Sequence, residues 1–110
     1  MSTPQLPTDF VFLRDMYLDG YFPRPLVDRL RDKLKELVSF LESGAHTTEQ
    51  VQAELDRITR DINDMQSDFE AADSEIETVA RDSIGTTVEA ILDFFSVDID
   101  IEEAIRERDW

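Results

Sequence analysis

The sequence predicts an all-α protein: a helical bundle of three main helices with short N- and C-terminal helices, in a single domain over 1–110. Three observations predict it. Apolar residues recur at steps of three and four over three long stretches, the spacing of one helix face. Helix start and stop signals fall between those stretches. No segment shows convincing strand alternation; VDIDI at 97–101 is the one candidate, and it is too short to stand alone.

Residues 1–7, with Pro4 and Pro7, read as a flexible tail. Thr8 or Asp9 then offers a cap for a short helix from Phe10 to about Leu18. The connector DGYFPRP follows, and Pro25 suits a first helical turn, where its missing N–H costs nothing. Leu26, Val27, Leu30, Leu34, Leu37, Val38 and Leu41 form one apolar face, which Ser43-Gly44 terminates. Thr47 and Gln50 have capping-box spacing, and behind them Val51, Leu55, Ile58, Ile62, Met65 and Phe69 make a narrow heptad stripe.

That stripe runs on in phase through Ala72, Ile76 and Val79. One helix from Glu49 to Phe95 would be ~70 Å long at ~1.5 Å per residue. A chain of this size has an expected radius of gyration of only ~13 Å. A break is therefore expected near Ala72–Ser74. Beyond it, Ser74 and Glu77 have capping-box spacing, and Ile76, Val79, Ala80, Ile84, Val88, Ile91, Leu92 and Phe95 form the third long face. Gly85 in its middle predicts either a bend or a close neighbour. Asp100 and Glu103 bracket a third capping box, opening a short helix with Ile101, Ala104 and Ile105.

Charge narrows the function. The net charge is −15, from 26 acids and 11 bases. Residues 1–38 hold six of each, so residues 39–110 hold 26 − 6 = 20 acids against 11 − 6 = 5 bases. Such a surface repels phosphate backbones and anionic lipid heads, which argues against direct nucleic-acid or membrane binding. It would steer a basic protein partner. A purely solubilising role is the plain alternative. There is no cysteine, hence no disulfide and no thiolate metal site. The N-terminus has no basic region followed by an apolar run, and no apolar stretch approaches membrane-helix length, so the expected location is the cytoplasm.

The densest acidic stretch is DFEAADSEIETVARD at 68–82, with six acids in fifteen residues. A helix start, through capping and the helix dipole, accounts for Asp73, Glu75 and Glu77, and Glu77 with Arg81 is a favourable i,i+4 pair. Asp68 and Glu70 stay unexplained near a helix C-terminus. One functional reading is a hard-cation site for Mg²⁺ built from Asp61, Asp64, Asp68, Glu70 and Asp73, as in all-α nucleotide pyrophosphohydrolases. No double-glutamate element precedes it, and cations to hold phosphates are few. Otherwise no cofactor is expected. His46, the one histidine, reads as an exposed loop residue, which leaves nucleophilic catalysis little to stand on.

The leading reading is a non-enzymatic interaction module whose acidic face over 49–82 receives a basic partner, as an immunity or inhibitor protein does. Its candidate contacts are Tyr17, Tyr21, Phe22, Asp61, Asp68 and Trp110, the aromatics being typical binding anchors. The plain alternative for those aromatics is core packing. The heptad stripe also permits a homodimer or a larger homo-oligomeric assembly.

Two segments, MYLDGYFPRPLVDRL (16–30) and SEIETVARDSI (74–84), resemble elements of small bacterial proteins grouped as a domain of unknown function. The resemblance extends to the ending at Glu102–Trp110. It implies a small intracellular bacterial protein and supports the break before Ser74. It implies no activity and no site residue.

Overall fold

Six helices are present in the computed structural model, which describes residues 4–110: α1 (Arg14–Leu18), α2 (Arg24–Glu42), α3 (Thr48–Asp64), α4 (Gln66–Ala71), α5 (Thr78–Phe94) and α6 (Ile101–Ala104). No strand occurs among the described residues. The all-α expectation holds, with α2, α3 and α5 as the long helices. Of the tail expected over 1–7, residues 1–3 lie outside the described part. Leu6 is half-buried and donates its N–H to Glu42 Oε2 at 2.8 Å, which ties the segment to the end of α2.

The α2–α3 pair is the spine. Pro25 lies in the first turn of α2 as expected. Gly44, at φ 148°, follows Ser43 at its C-terminal end. Across the turn the expected capping box forms: Thr47 Oγ1 accepts from the Gln50 N–H at 3.1 Å, and Gln50 Oε1 accepts from the Thr47 N–H at 2.9 Å. Ion pairs Lys33–Asp61, Glu36–Arg57 and Arg29–Asp68 show the two arms running antiparallel. The stripe Val51, Leu55, Ile58, Ile62, Met65 and Phe69 is buried within the chain's own core.

Three boundaries differ from the sequence reading. The first helix begins not at Phe10 but at Arg14, and its N-cap is neither Thr8 nor Asp9. Leu13 takes that place in a left-handed conformation (φ 53°) and is fully buried, with its N–H donated to Thr87 Oγ1 at 3.1 Å. Burial and that bond offset a backbone strain local propensity would not accept. Met65 interrupts the second long helix, so that a short α4 restarts at Gln66. And α5 starts at Thr78, with Glu77 as N-cap and no side-chain cap. The Ser74–Glu77 capping box is absent, because Ser74 Oγ instead donates to the Tyr21 carbonyl at 3.1 Å, tying this connection to the one after α1.

The break near Ala72–Ser74 is real and has a defined form. The Ser74 N–H bonds the Phe69 carbonyl at 2.8 Å and the Asp73 N–H bonds the Glu70 carbonyl at 3.0 Å, around Asp73 in the left-handed region (φ 58°). This is a Schellman motif with aspartate where glycine is the usual choice. The end of α5 repeats it: Val97 bonds Leu92 at 2.9 Å and Ser96 bonds Asp93 at 3.1 Å, with Ser96 at φ 57°. Gly85 does not break α5, and a Cβ there would stand 3.9 Å from Ile101 Cγ1, at ordinary contact distance, so neither a bend nor a close neighbour requires the glycine.

Helix α1 packs along α5, and α6 lies along α3. The side chain of Asp100 caps α6 by accepting from the Glu102 N–H at 3.1 Å, but Glu103 does not complete the box and pairs with Arg106. Trp110 is 8% exposed and belongs to the core. The radius of gyration is 13.7 Å, close to the value expected for a compact chain of this length.

Candidate functional site

The acidic excess is not spread evenly, because the bases are concentrated on α2, α3 and the C-terminal segment. Asp61 lies 3.2 Å from both Lys33 Nζ and Arg57 Nη1. Arg57 also bonds Glu54 at 2.6 Å and Glu36 at 3.1 Å; the bond to Glu54 is the main reason its guanidinium is held charged even more firmly than usual. Burial opposes the Lys33 charge, but hydrogen bonds to Asp61 and Glu36 outweigh it and raise its pKa. The outer surface of α2 and α3 is thus an ion-pair network whose acids are already occupied.

A second cluster pins α6 to α3. Asp56, a buried residue, accepts from Arg106 Nη2 at 2.8 Å, Arg106 Nε at 3.2 Å and Gln52 Nε2 at 2.9 Å. Burial would raise the pKa of this carboxyl, yet those bonds prevail and hold it below the usual range. Arg60–Glu107 at 3.2 Å and the Asn63 side chain, bonded to the Glu107 carbonyl and the Asp109 N–H, continue the seam.

The five carboxylates considered for Mg²⁺ are not drawn into one ligand set. Asp61 is in the α2–α3 network and Asp68 pairs with Arg29 at 3.1 Å, while Asp64, Glu70 and Asp73 are exposed. Among the described residues, no three His, Cys, Asp or Glu side chains are grouped to hold a metal ion. Asp68 also loses its puzzle. Because the helix restarts at Gln66, Asp68 sits in the first turn of α4, where negative charge is favoured.

The aromatic candidates divide. Phe22 (4% exposed) and Trp110 are core residues, whereas Tyr21 is 45% exposed. Tyr17 is half-buried and donates its hydroxyl to Asp28 Oδ1 at 2.5 Å. Burial, reinforced by that bond, pushes its pKa up to about 12. His46 is a structural residue, stacked on Phe40 with centroids 3.9 Å apart and its Nε2 2.8 Å from the Phe40 carbonyl at the end of α2.

What remains uncompensated lies on α4 and α5. Residues 64–98 hold ten acids (Asp64, Asp68, Glu70, Asp73, Glu75, Glu77, Asp82, Glu89, Asp93, Asp98) and one base, Arg81. Among the described residues Asp68 alone of these ten forms an ion pair. The Glu77–Arg81 pair expected from spacing does not form. On α5, Asp82, Glu89 and Asp93 fall on one face with Val79, Thr86, Ala90 and Phe94, and all seven are exposed. Helix physics disfavours this arrangement. Glu89 and Asp93 are a like-charge i,i+4 pair, and Asp93 sits in the last turn against the helix dipole. The spacing of these acids is readable in the sequence. Their isolation is not, because it depends on where the bases go.

Fold and surface together define a small all-α protein with one internally neutralised flank and one acidic flank. The chain belongs to a family of unknown function (DUF5713), whose model matches residues 7–110. No curated protein and no solved structure matches it. No helix among the described residues is long and apolar enough to cross a membrane.

Proposed function

We propose that this protein is a non-enzymatic interaction module of the cytoplasm whose acidic flank, α4 and the outer face of α5, receives a basic protein partner. An immunity or inhibitor protein that covers a cationic surface is the concrete version. The observation that carries the reading is the α5 face: Asp82, Glu89 and Asp93, without a cation within ion-pair distance among the described residues, beside exposed Val79 and Phe94. Two of these carboxylates, Glu89 and Asp93, are held where the helix is destabilised by them, which favours a use outside the fold. Exposed apolar residues among them supply the contact area that charge alone lacks. Of the earlier aromatic candidates, Tyr21 retains an exposed ring. The weight of the acidic candidates moves from Asp61 and Asp68, already paired, to Glu70, Asp82, Glu89 and Asp93.

The heptad stripe gives no support to a homo-oligomer, since its apolar side chains are used in the monomer's own core. The test is affinity capture from the source cells at about 50 and 500 mM salt, a range over which exposed charge pairs are strongly screened. A basic protein retained at low salt and released at high salt is the expected result. Recovery of no basic protein, or of one indifferent to salt, would remove the reading.

A further inference from the structure

In a chain of net charge −15, one cleft has the opposite character. It lies between the N-terminal segment and α2, has a volume of about 560 Å³, and is lined by Phe10, Phe12, Tyr17 and Val38 together with Arg31 and Lys35. Glu42 is the single carboxylate lining it, and Glu42 is occupied by the Leu6 N–H. Four other clefts, of 270–570 Å³, have no comparable excess of Lys and Arg over carboxylates.

Both cations have unused capacity. Lys35 has no carboxylate partner among the described residues; its Nζ stands 5.9 Å from the centre of the Phe12 ring. Arg31 reaches Asp28 and Asp32 only at 3.6 and 3.4 Å, and its Nε is buried with no hydrogen-bond partner. A buried donor without an acceptor is uncommon and calls for an explanation. The Tyr17 hydroxyl donates to Asp28, and its oxygen, though still able to accept, takes no hydrogen bond from Arg31 Nε.

We infer that this cleft is a binding site for a small amphipathic monoanion, a carboxylate on an aromatic or branched apolar body. The carboxylate would accept from Arg31 and Lys35 in charge-assisted bonds, and the apolar body would lie among Phe10, Phe12 and Val38. The negative field of the whole protein selects against multiply charged ligands such as nucleotides, so a compact single charge is the matching chemistry. The inference is independent of the acidic flank, which lies on other helices.

The experiment uses the ¹⁵N-labelled full chain and phenylacetate as probe, with phenylacetamide as its neutral counterpart and inorganic phosphate as the bare anion. Phenylacetate is expected to shift the amides of Phe10, Phe12, Tyr17, Arg31 and Lys35 saturably below about 10 mM, at least about tenfold more tightly than either comparison compound. Lys35→Met, an exposed substitution that keeps the aliphatic stem, is expected to weaken binding about fivefold or more without changing Tm, and Lys35→Arg to retain it. The site is overturned if no saturable shift appears, if phenylacetamide or phosphate binds as well as phenylacetate, or if Lys35→Met binds like the wild type.

Discussion

Asp73 offers the sharpest probe of how the chain turns from α4 into α5. It occupies the left-handed position of a Schellman motif, at φ 58°, with its own N–H and that of Ser74 both bonded back to α4. A left-handed conformation costs an L-residue about 1–2 kcal/mol, less for Asp, and glycine nothing sterically. Glycine gives back about 0.5–1 kcal/mol in unfolded-state entropy. With the smaller strain of Asp the net steric gain is at most about 0.5 kcal/mol, and losing the charge adds about 0.3, so Asp73→Gly should stabilise by about 0.3–0.8 kcal/mol. Asp73→Asn keeps the local tolerance and removes a negative charge from a helix C-terminus, a gain of about 0.3 kcal/mol or more. Asp73→Ala loses the tolerance and should cost about 1 kcal/mol. Urea unfolding at pH 7 reads all three as midpoint shifts at constant slope. The predicted order is Gly, Asn, Asp, Ala. Alanine as stable as glycine would show that the turn is not left-handed at this residue, and the reasoning would fail.

Phe69 is fully buried, so Phe69→Ala should cost about 3–5 kcal/mol, a melting shift of at least about 10 °C, whereas Phe94→Ala, at a 37% exposed site, should cost under about 1 kcal/mol. Equal effects would contradict the burial assignment. The pKa of Asp56 is depressed in the folded state, so its contribution is present above its unfolded value near about 4 and is lost as pH falls through the folded value. The Tm gap between wild type and Asp56→Asn should accordingly be largest near neutrality and close in acid; a gap independent of pH would refute the Asp56–Arg106 clamp. Neutralising Asp82, Glu89 and Asp93 together should leave stability unchanged or raise it by a few tenths of a kcal/mol per relieved interaction, measured by thermal unfolding. A loss above about 1 kcal/mol would make these acids structural.

The long helices were legible because burial imposes the same periodicity that the sequence displays. Val51 to Phe69 and Leu26 to Leu41 face the core where their spacing places them. The second break was legible from size alone, since an unbroken helix could not fit a chain this short. Its chemistry was not. Ser74 resembles a cap by spacing, but the connection after α1 claims its hydroxyl through the Tyr21 carbonyl, a partner 53 residues away. Leu13 carries the same lesson. Thr8 and Asp9 are better local caps, and tertiary burial against Thr87 selects Leu13 regardless.

The surface was the least legible part. An acid count over 49–82 treats Asp61, Asp68 and Glu70 alike, while in the fold Arg29, Lys33 and Arg57 occupy the first two and leave the third. Pairing between α2 and α3 decides which carboxylates are free, and it shifts the free ones toward α4 and α5. The Arg31–Lys35 cleft is likewise assembled from a tail segment and a helix that share no motif.

If the acids of α4 and α5 serve a partner and not the fold, their removal should abolish binding and spare stability. The decisive measurement repeats the capture with Glu70→Gln, Asp82→Asn, Glu89→Gln and Asp93→Asn combined, at equal folded fraction and low salt. The control neutralises Glu54 and Asp61, which are paired within the chain. The fourfold variant should keep at least wild-type stability and lose the basic partner, while the control keeps it. Full retention of the partner by the fourfold variant would show that these acids do not form the binding surface.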